Sequence, residues 1–182
     1  VPRTLFQRAD QSDSDCTPAD GDNKPLLSSQ TNGNETVTFE IPAQTMNDVI
    51  FAFIMASGDP GGGEDLGAGS LFRAQLDITV IDAVISCKIQ FRALNAACAS
   101  QGFVAMGEGD FTGTGLNLGT ATWDPPVADR YACYVLATNS EGHSGGTLTL
   151  RTNNANAFYE IPNAPAGAVV LPSLVMAPYR PA

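Results

Sequence analysis

Ser70-Leu71-Phe72-Arg73-Ala74-Gln75-Leu76-Asp77-Ile78-Thr79-Val80 alternates apolar and polar residues with a period of two. Successive side chains of a strand point to opposite faces, so Phe72, Ala74, Leu76, Ile78 and Val80 share one face. Arg73, Gln75, Asp77 and Thr79 occupy the other. One buried and one solvated face is the pattern of an antiparallel sheet; parallel sheets are covered on both sides. The next run repeats it, with Ile85, Cys87, Ile89, Phe91 and Ala93 in one phase and Lys88, Gln90 and Arg92 in the other.

Working outward, Thr36–Ile41 places Val37, Phe39 and Ile41 on one face, and Pro42 closes it. The run 49–56 (VIFAFIMA) is nearly all apolar and short for a helix, which suits a strand covered on both faces. Residues 57–69 (SGDPGGGEDLGAG) have loop composition and are expected to be the most flexible internal stretch. Downstream, Phe103, Ala105 and Phe111 mark a strand pair, and Leu116, Leu118 and Trp123 follow. Tyr131, Cys133, Val135 and Ala137 share a face, and 147–152 and 157–161 complete the set. Each strand has an apolar face to cover, which predicts an all-β fold: an antiparallel β-sandwich, jelly-roll-like, over residues 36–161.

Residues 1–35 are polar and aspartate-rich, too poor in apolar surface to fold alone, and read as an N-terminal arm. Leu5, Phe6, Leu26 and Leu27 are its candidate anchors on a partner. Residues 162–182 carry Pro162, Pro165, Pro172, Pro178 and Pro181, which exclude a regular helix. This second extended arm offers Val169, Val170 and Leu171, then Leu174, Val175, Met176 and Tyr179, as partner-binding residues. A first residue of valine fits initiator-methionine removal or proteolytic maturation equally well.

Nine basic residues against nineteen acidic ones give a formal charge of −10, and the basic residues form no run. That balance repels a phosphate backbone, so nucleic acid is not an expected partner. No apolar window is long enough for a membrane helix. Cys87 and Cys133 fall on apolar strand faces, Cys98 near a loop and Cys16 in the polar arm, with no C-x-x-C spacing. Buried thiols are the default reading, and a Cys87–Cys98 bridge is an open alternative.

Candidate chemistry is sparse. The lone histidine, His143, sits in Ser140-Glu141-Gly142-His143-Ser144, but a glycine-flanked loop is poor scaffolding for a triad and no G-x-S-x-G elbow exists. The aspartates at 10, 13, 15, 20 and 22 lack the spacing of a calcium loop, and Glu64-Asp65 reads the same way. Glu108 and Asp110 are expected on one short strand, facing the same way, unlike a glycosidase pair. Asn34-Glu35-Thr36 matches a glycosylation acceptor, which has meaning in a secretory setting alone. No catalytic residue, metal or cofactor is expected.

The order of elements resembles the β-sandwich cement, head-decoration and fibre domains of tailed-bacteriophage virions. The stretches that carry the resemblance are Ser70–Val80, Ser86–Leu94, the glycine-rich Gly107–Gly119, Trp123-Asp124-Pro125, Ala128-Asp129-Arg130-Tyr131 and Asn139–Asn154. It covers about residues 70–160 and is one of pattern, without a diagnostic motif. The resemblance implies a non-enzymatic virion protein on the outer surface of a capsid, bound to the major capsid protein and to copies of itself, often as a homotrimer. The alternative is a carbohydrate- or receptor-binding fibre module, which needs exposed aromatics such as Tyr134 or Tyr159.

Overall fold

The computed structural model describes residues 3–12, 25–28, 31, 33–56 and 60–162. The strands are β1 (Arg3–Ser12), β2 (Pro25–Ser28), β3 (Glu35–Ile41), β4 (Asp48–Met55), β5 (Pro60–Gly63) and β6 (Ser70–Ile81). There follow β7 (Ile85–Leu94), β8 (Ser100–Ala105), β9 (Gly115–Trp123), β10 (Arg130–Asn139), β11 (Gly146–Thr152) and β12 (Phe158–Ile161). No helix is long and apolar enough to cross a membrane, which says nothing about spanning by strands.

Four antiparallel pairings define the architecture: β3 with β11, β4 with β10, β6 with β9, and β7 with β8. Side by side they give two sheets, β3-β11-β6-β9 and β4-β10-β7-β8. Among the eight strands of these two sheets the chain changes sheet at every step except β7 to β8, the winding of a jelly roll. The expected sandwich is therefore present, with jelly-roll strand order.

The core lies between the sheets. Phe72, Leu76, Ile78, Leu148 and Leu150 from one meet Phe53, Ile89, Phe91, Cys133 and Val135 from the other. Phe72 is its aromatic hub, with ring centroids 5.8 Å from Phe91, 5.5 Å from Trp123 and 5.9 Å from Tyr131. β10 is buried on both faces, as its near-continuous apolar sequence allows. Val49–Met55 is a strand, as expected, with Phe51–Met55 buried.

One side-chain phase differs from the sequence expectation, and the fold decides two that the sequence left open. Val80 faces outward because the ladder between β11 and β6 slips there: Thr149 pairs with Val80 but Leu150 with Ile78, and the extra residue, Thr79, reverses the alternation. In β9 the small residues Gly119 and Ala121 face in, and Leu116 and Leu118 face out. Space decides this, because a Cβ at Gly119 would lie 3.0 Å from both Ile89 Cδ1 and Met106 Sδ. In β8, Phe103 and Ala105 are exposed and Val104 packs toward the core.

Two boundaries are corrected as well. Residues 3–12 and 25–28, expected within a free arm, are strands of the sheet. β1 pairs with β12 (Leu5 opposite Tyr159) and with β2, and β2 runs parallel to β4. This hairpin joins the two sheets along one side. Polar residues hold it where apolar ones are scarce: buried Gln7 donates from Nε2 to the carbonyls of Gln75 (3.1 Å) and Phe158 (3.3 Å). The Arg3 guanidinium grips Glu64 through both carboxylate oxygens at 2.9 and 2.8 Å. Within the expected flexible stretch, residues 60–69 are anchored by buried Leu66, whose carbonyl accepts from Ser70 Oγ at 2.6 Å.

Cys87 and Cys133 are free, buried thiols, so the Cys87–Cys98 bridge is not formed; Cys98 is disulfide-bonded. Burial, then the nearby Asp110 carboxylate, push the Cys87 thiol up to about 12, and burial raises Cys133 further. Burial, then Asp65, likewise push Tyr131 up to about 12. The folded chain keeps these protons while the unfolded chain releases them. Stability is therefore present in full below pH 9.0 and is lost as pH rises toward about 12. Each thiol contributes a slope of up to about 1.4 kcal/mol per pH unit in that window. Urea midpoints measured from neutral to alkaline pH will fall; a flat profile would contradict this burial.

Candidate interaction faces

The four connections 42–47, 82–84, 106–114 and 140–145 share one end of the sandwich, because the strands they join pair there. Asn139, fully buried at the end of β10, organises that end. Its Nδ2 donates to the carbonyls of Ile41 and Ser144, both at 3.0 Å, and its Oδ1 accepts from Glu141 N–H at 2.9 Å. Gln44 N–H donates to Glu141 O (3.1 Å) and Asn139 N–H to Thr45 O (2.9 Å), which locks two loops together. His143 is exposed on this knitted edge. Its loop is shaped by Asn139, and the Ser144 carbonyl is committed to that amide.

Glu108 and Asp110 are not on a strand; they lie in the connection between β8 and β9. Each turns to a different neighbour. Glu108 accepts from the hydroxyl and the N–H of Thr120, while Asp110 accepts from Ser86 Oγ at 3.2 Å. Partial burial alone would raise the Glu108 carboxyl, but the hydrogen bonds from Thr120 together outweigh it and hold the group below its ordinary value. Glu108 thus covers part of the open edge of β9. Among the described residues, no group of three or more His, Cys, Asp or Glu could hold a metal ion.

The outer surfaces of the two sheets differ. On the first, charged and hydroxyl side chains pair across strands. Arg151 Nε donates to buried Asp77 at 2.7 Å, Arg73 to Glu160 at 3.0 Å, and the Thr38 and Thr149 hydroxyls meet at 2.9 Å. Beside these pairs Leu116 and Leu118 stand exposed on edge strand β9, with Leu71 and Val80 exposed on β6. The β9 edge is occupied at Thr120, where Gly107 N–H donates to its carbonyl at 2.9 Å. Exposed apolar side chains on an edge strand are where a sheet is most ready to meet another chain.

On the second sheet the Arg92 guanidinium lies 3.9 Å from the Tyr134 ring centroid and 5.9 Å from that of Phe103. Tyr134 and Tyr159, the aromatics that a glycan platform would have to expose, are buried at 2% and 0% exposure. Phe103 remains exposed there.

Of the expected arm anchors, Leu5 belongs to the chain's own core and Phe6 is half-buried opposite Phe158. The backbones of Leu26 and Leu27 run beside Ile54 and Met55. Val169, Val170, Leu171, Leu174, Val175, Met176 and Tyr179 lie outside the described residues. The alternation of Ser70–Val80 already places Leu71 on the solvated face, while the sequence reading did not single out Leu116 and Leu118 as surface residues. The signal lay in the small residues Gly119 and Ala121, which take the inward phase.

No protein-family model matches the chain, and no curated protein does. Among solved structures, a CocE/NonD family hydrolase from Staphylococcus aureus superposes with a TM-score of 0.51 at 8% identity, covering 91% of this chain and 36% of that one. The infectious bursal disease virus VP2 subviral particle gives 0.39 at 10% identity, covering 81% and 42%. The same virus, Gt strain, gives 0.40 at 10%, covering 90% and 38%. The chain thus spans less than half the length of each of these proteins, and what it shares with the hydrolase is a fold.

Proposed function

We propose that this chain is a non-enzymatic structural protein of a virion. In this reading it is a cement or decoration protein that sits on the outer surface of a tailed-bacteriophage capsid and stabilises the shell through subunit contacts. Its partners are the major capsid protein and neighbouring copies, the latter arranged as a homotrimer. Jelly rolls occur in viral capsid proteins as well as in lectins, so the fold permits this role without requiring it. The observation that carries the reading is the exposed Leu116 and Leu118 pair on edge strand β9. Leu116 is 55% and Leu118 36% exposed, and burying what remains between subunits is favourable by roughly 1 kcal/mol each. The fibre-module alternative loses its stated aromatics, since Tyr134 and Tyr159 are buried.

The test is association. Sedimentation of the native chain should give a trimer, and Leu116→Asp with Leu118→Asp should give folded monomers whose unfolding midpoint no longer depends on protein concentration. Added to capsid shells that lack it, the native chain should raise the temperature at which they open, and the double variant should not. A native chain that is monomeric and leaves the shells unprotected contradicts the proposal.

A further inference from the structure

β8 ends the second sheet, and among the described residues no strand pairs with its outer edge. One bond fixes which backbone groups point there. Met106 N–H donates to Ile89 O at 3.0 Å, so along the antiparallel ladder Val104 and Met106 turn to β7 while Phe103 and Ala105 turn away. Gly107, next in the outward set, donates to Thr120 O at 2.9 Å, so this edge already bonds a strand where one comes within reach. We propose that β8 is a pairing edge through which two copies of this chain join antiparallel, about a two-fold axis at Val104. This contact goes beyond the virion reading: it is separate from the one at Leu116 and Leu118, and it forms in solution without a shell.

The edge fits itself. Its free stretch is bounded on one side by the bulge at Gln101, where Ala93 pairs with Gly102 but Leu94 with Ser100, and on the other by Gly107, already bonded. Val104 is the middle of that stretch. A two-fold axis there sets Phe103 opposite Ala105 of the second copy and Ala105 opposite its Phe103. Each pair exchanges two N–H···O bonds, and each ring lies over a small residue. Phe103 is 61% exposed and Ala105 is exposed, so both are free to be covered.

Charge also selects a second copy. A chain with a formal charge of −10 repels its own kind, and residues 93–107 carry no charge at all. Edge strands are ordinarily guarded by charged side chains. β3 carries Glu35 and Glu40, and Glu108 covers Thr120 on β9, whereas β8 has no such guard. The charge beside the edge, Arg92, is stacked over the Tyr134 ring at 3.9 Å. So few residues bury less than the roughly 1,200 Å2 of a stable complex, so the contact is weak when dilute and populated where copies are concentrated.

Hydrogen exchange of the native full chain, followed by NMR at about 0.05 and about 1 mM, tests this. A dissociation constant on the order of 1 mM would slow exchange at Phe103 and Ala105 roughly twofold across that range. Val104 N–H, bonded to β7, should not change, and the sedimentation coefficient should rise in step. Phe103→Pro removes an outward donor and no bond to β7, so it should fold and lose both effects. Phe103→Lys keeps the backbone and sets a charge at the contact; it should lose them too. Exchange at Phe103 and Ala105 that ignores concentration, or association that survives both substitutions, would overturn the proposal. Shells take no part in this experiment, so its failure leaves the virion reading to its own test.

Discussion

Phe72→Ala will lower the unfolding free energy by about 3–5 kcal/mol, near the whole margin of many domains of this size. Phe72 is 0% exposed on β6 and touches rings from β7, β9, β10 and β12, the last through Tyr159 at 6.4 Å. Both sheets therefore lose contacts at once, and the rigid backbone of a sandwich closes little of the resulting cavity. Phe103→Ala is the matched control. Its ring is 61% exposed on β8, and its loss should shift stability by no more than about 0.5 kcal/mol. Urea unfolding of both variants checks the pair; equal losses would place the core elsewhere.

Deletion of residues 1–12 should cost the isolated domain on the order of 4 kcal/mol, from the burial of Leu5 and the hydrogen bonds of Gln7. The deletion also strips β12 of one of its two strand partners and releases Glu64 from Arg3. A free arm would give the opposite result, with an unchanged midpoint in solution and a defect confined to assembly. Thermal unfolding of the truncated chain distinguishes the two. The outcome bears on function, because a strand that completes its own sheet is not available to reach a neighbour.

The contrast shows where the sequence was legible. β6 and β7 were readable because their inward residues alternate without a break, and the face between the sheets selects for that. β1 was not, because Gln7 and Arg8 are buried yet polar. Their strand is defined by backbone partners, such as Gln7 N–H to Ala157 O at 2.9 Å, which no side-chain pattern reveals. Val80 was misplaced by one inserted residue, since a period of two cannot register a bulge. Leu116 and Leu118 marked a strand without fixing its phase, which is set by Gly119: it faces inward where Ile89 and Met106 leave no room for a side chain. Hydrophobicity marked that a strand existed, and steric space decided its phase.

The same reasoning limited the candidate faces. Charge excluded nucleic acid as an expected partner, but exposed leucines become visible as a surface only after the phase of β9 is known. Asn139 was equally hidden: it ends an apolar strand and reads as the start of a loop, while in the fold its amide ties Ile41 to Ser144.

Cryo-electron microscopy of the native assembly that carries this chain tests the account most directly. The account predicts jelly-roll density on the outer surface of a shell, with Leu116 and Leu118 of β9 buried against an adjacent subunit. Density that leaves both leucines facing solvent, or that places the domain away from any shell, would contradict it.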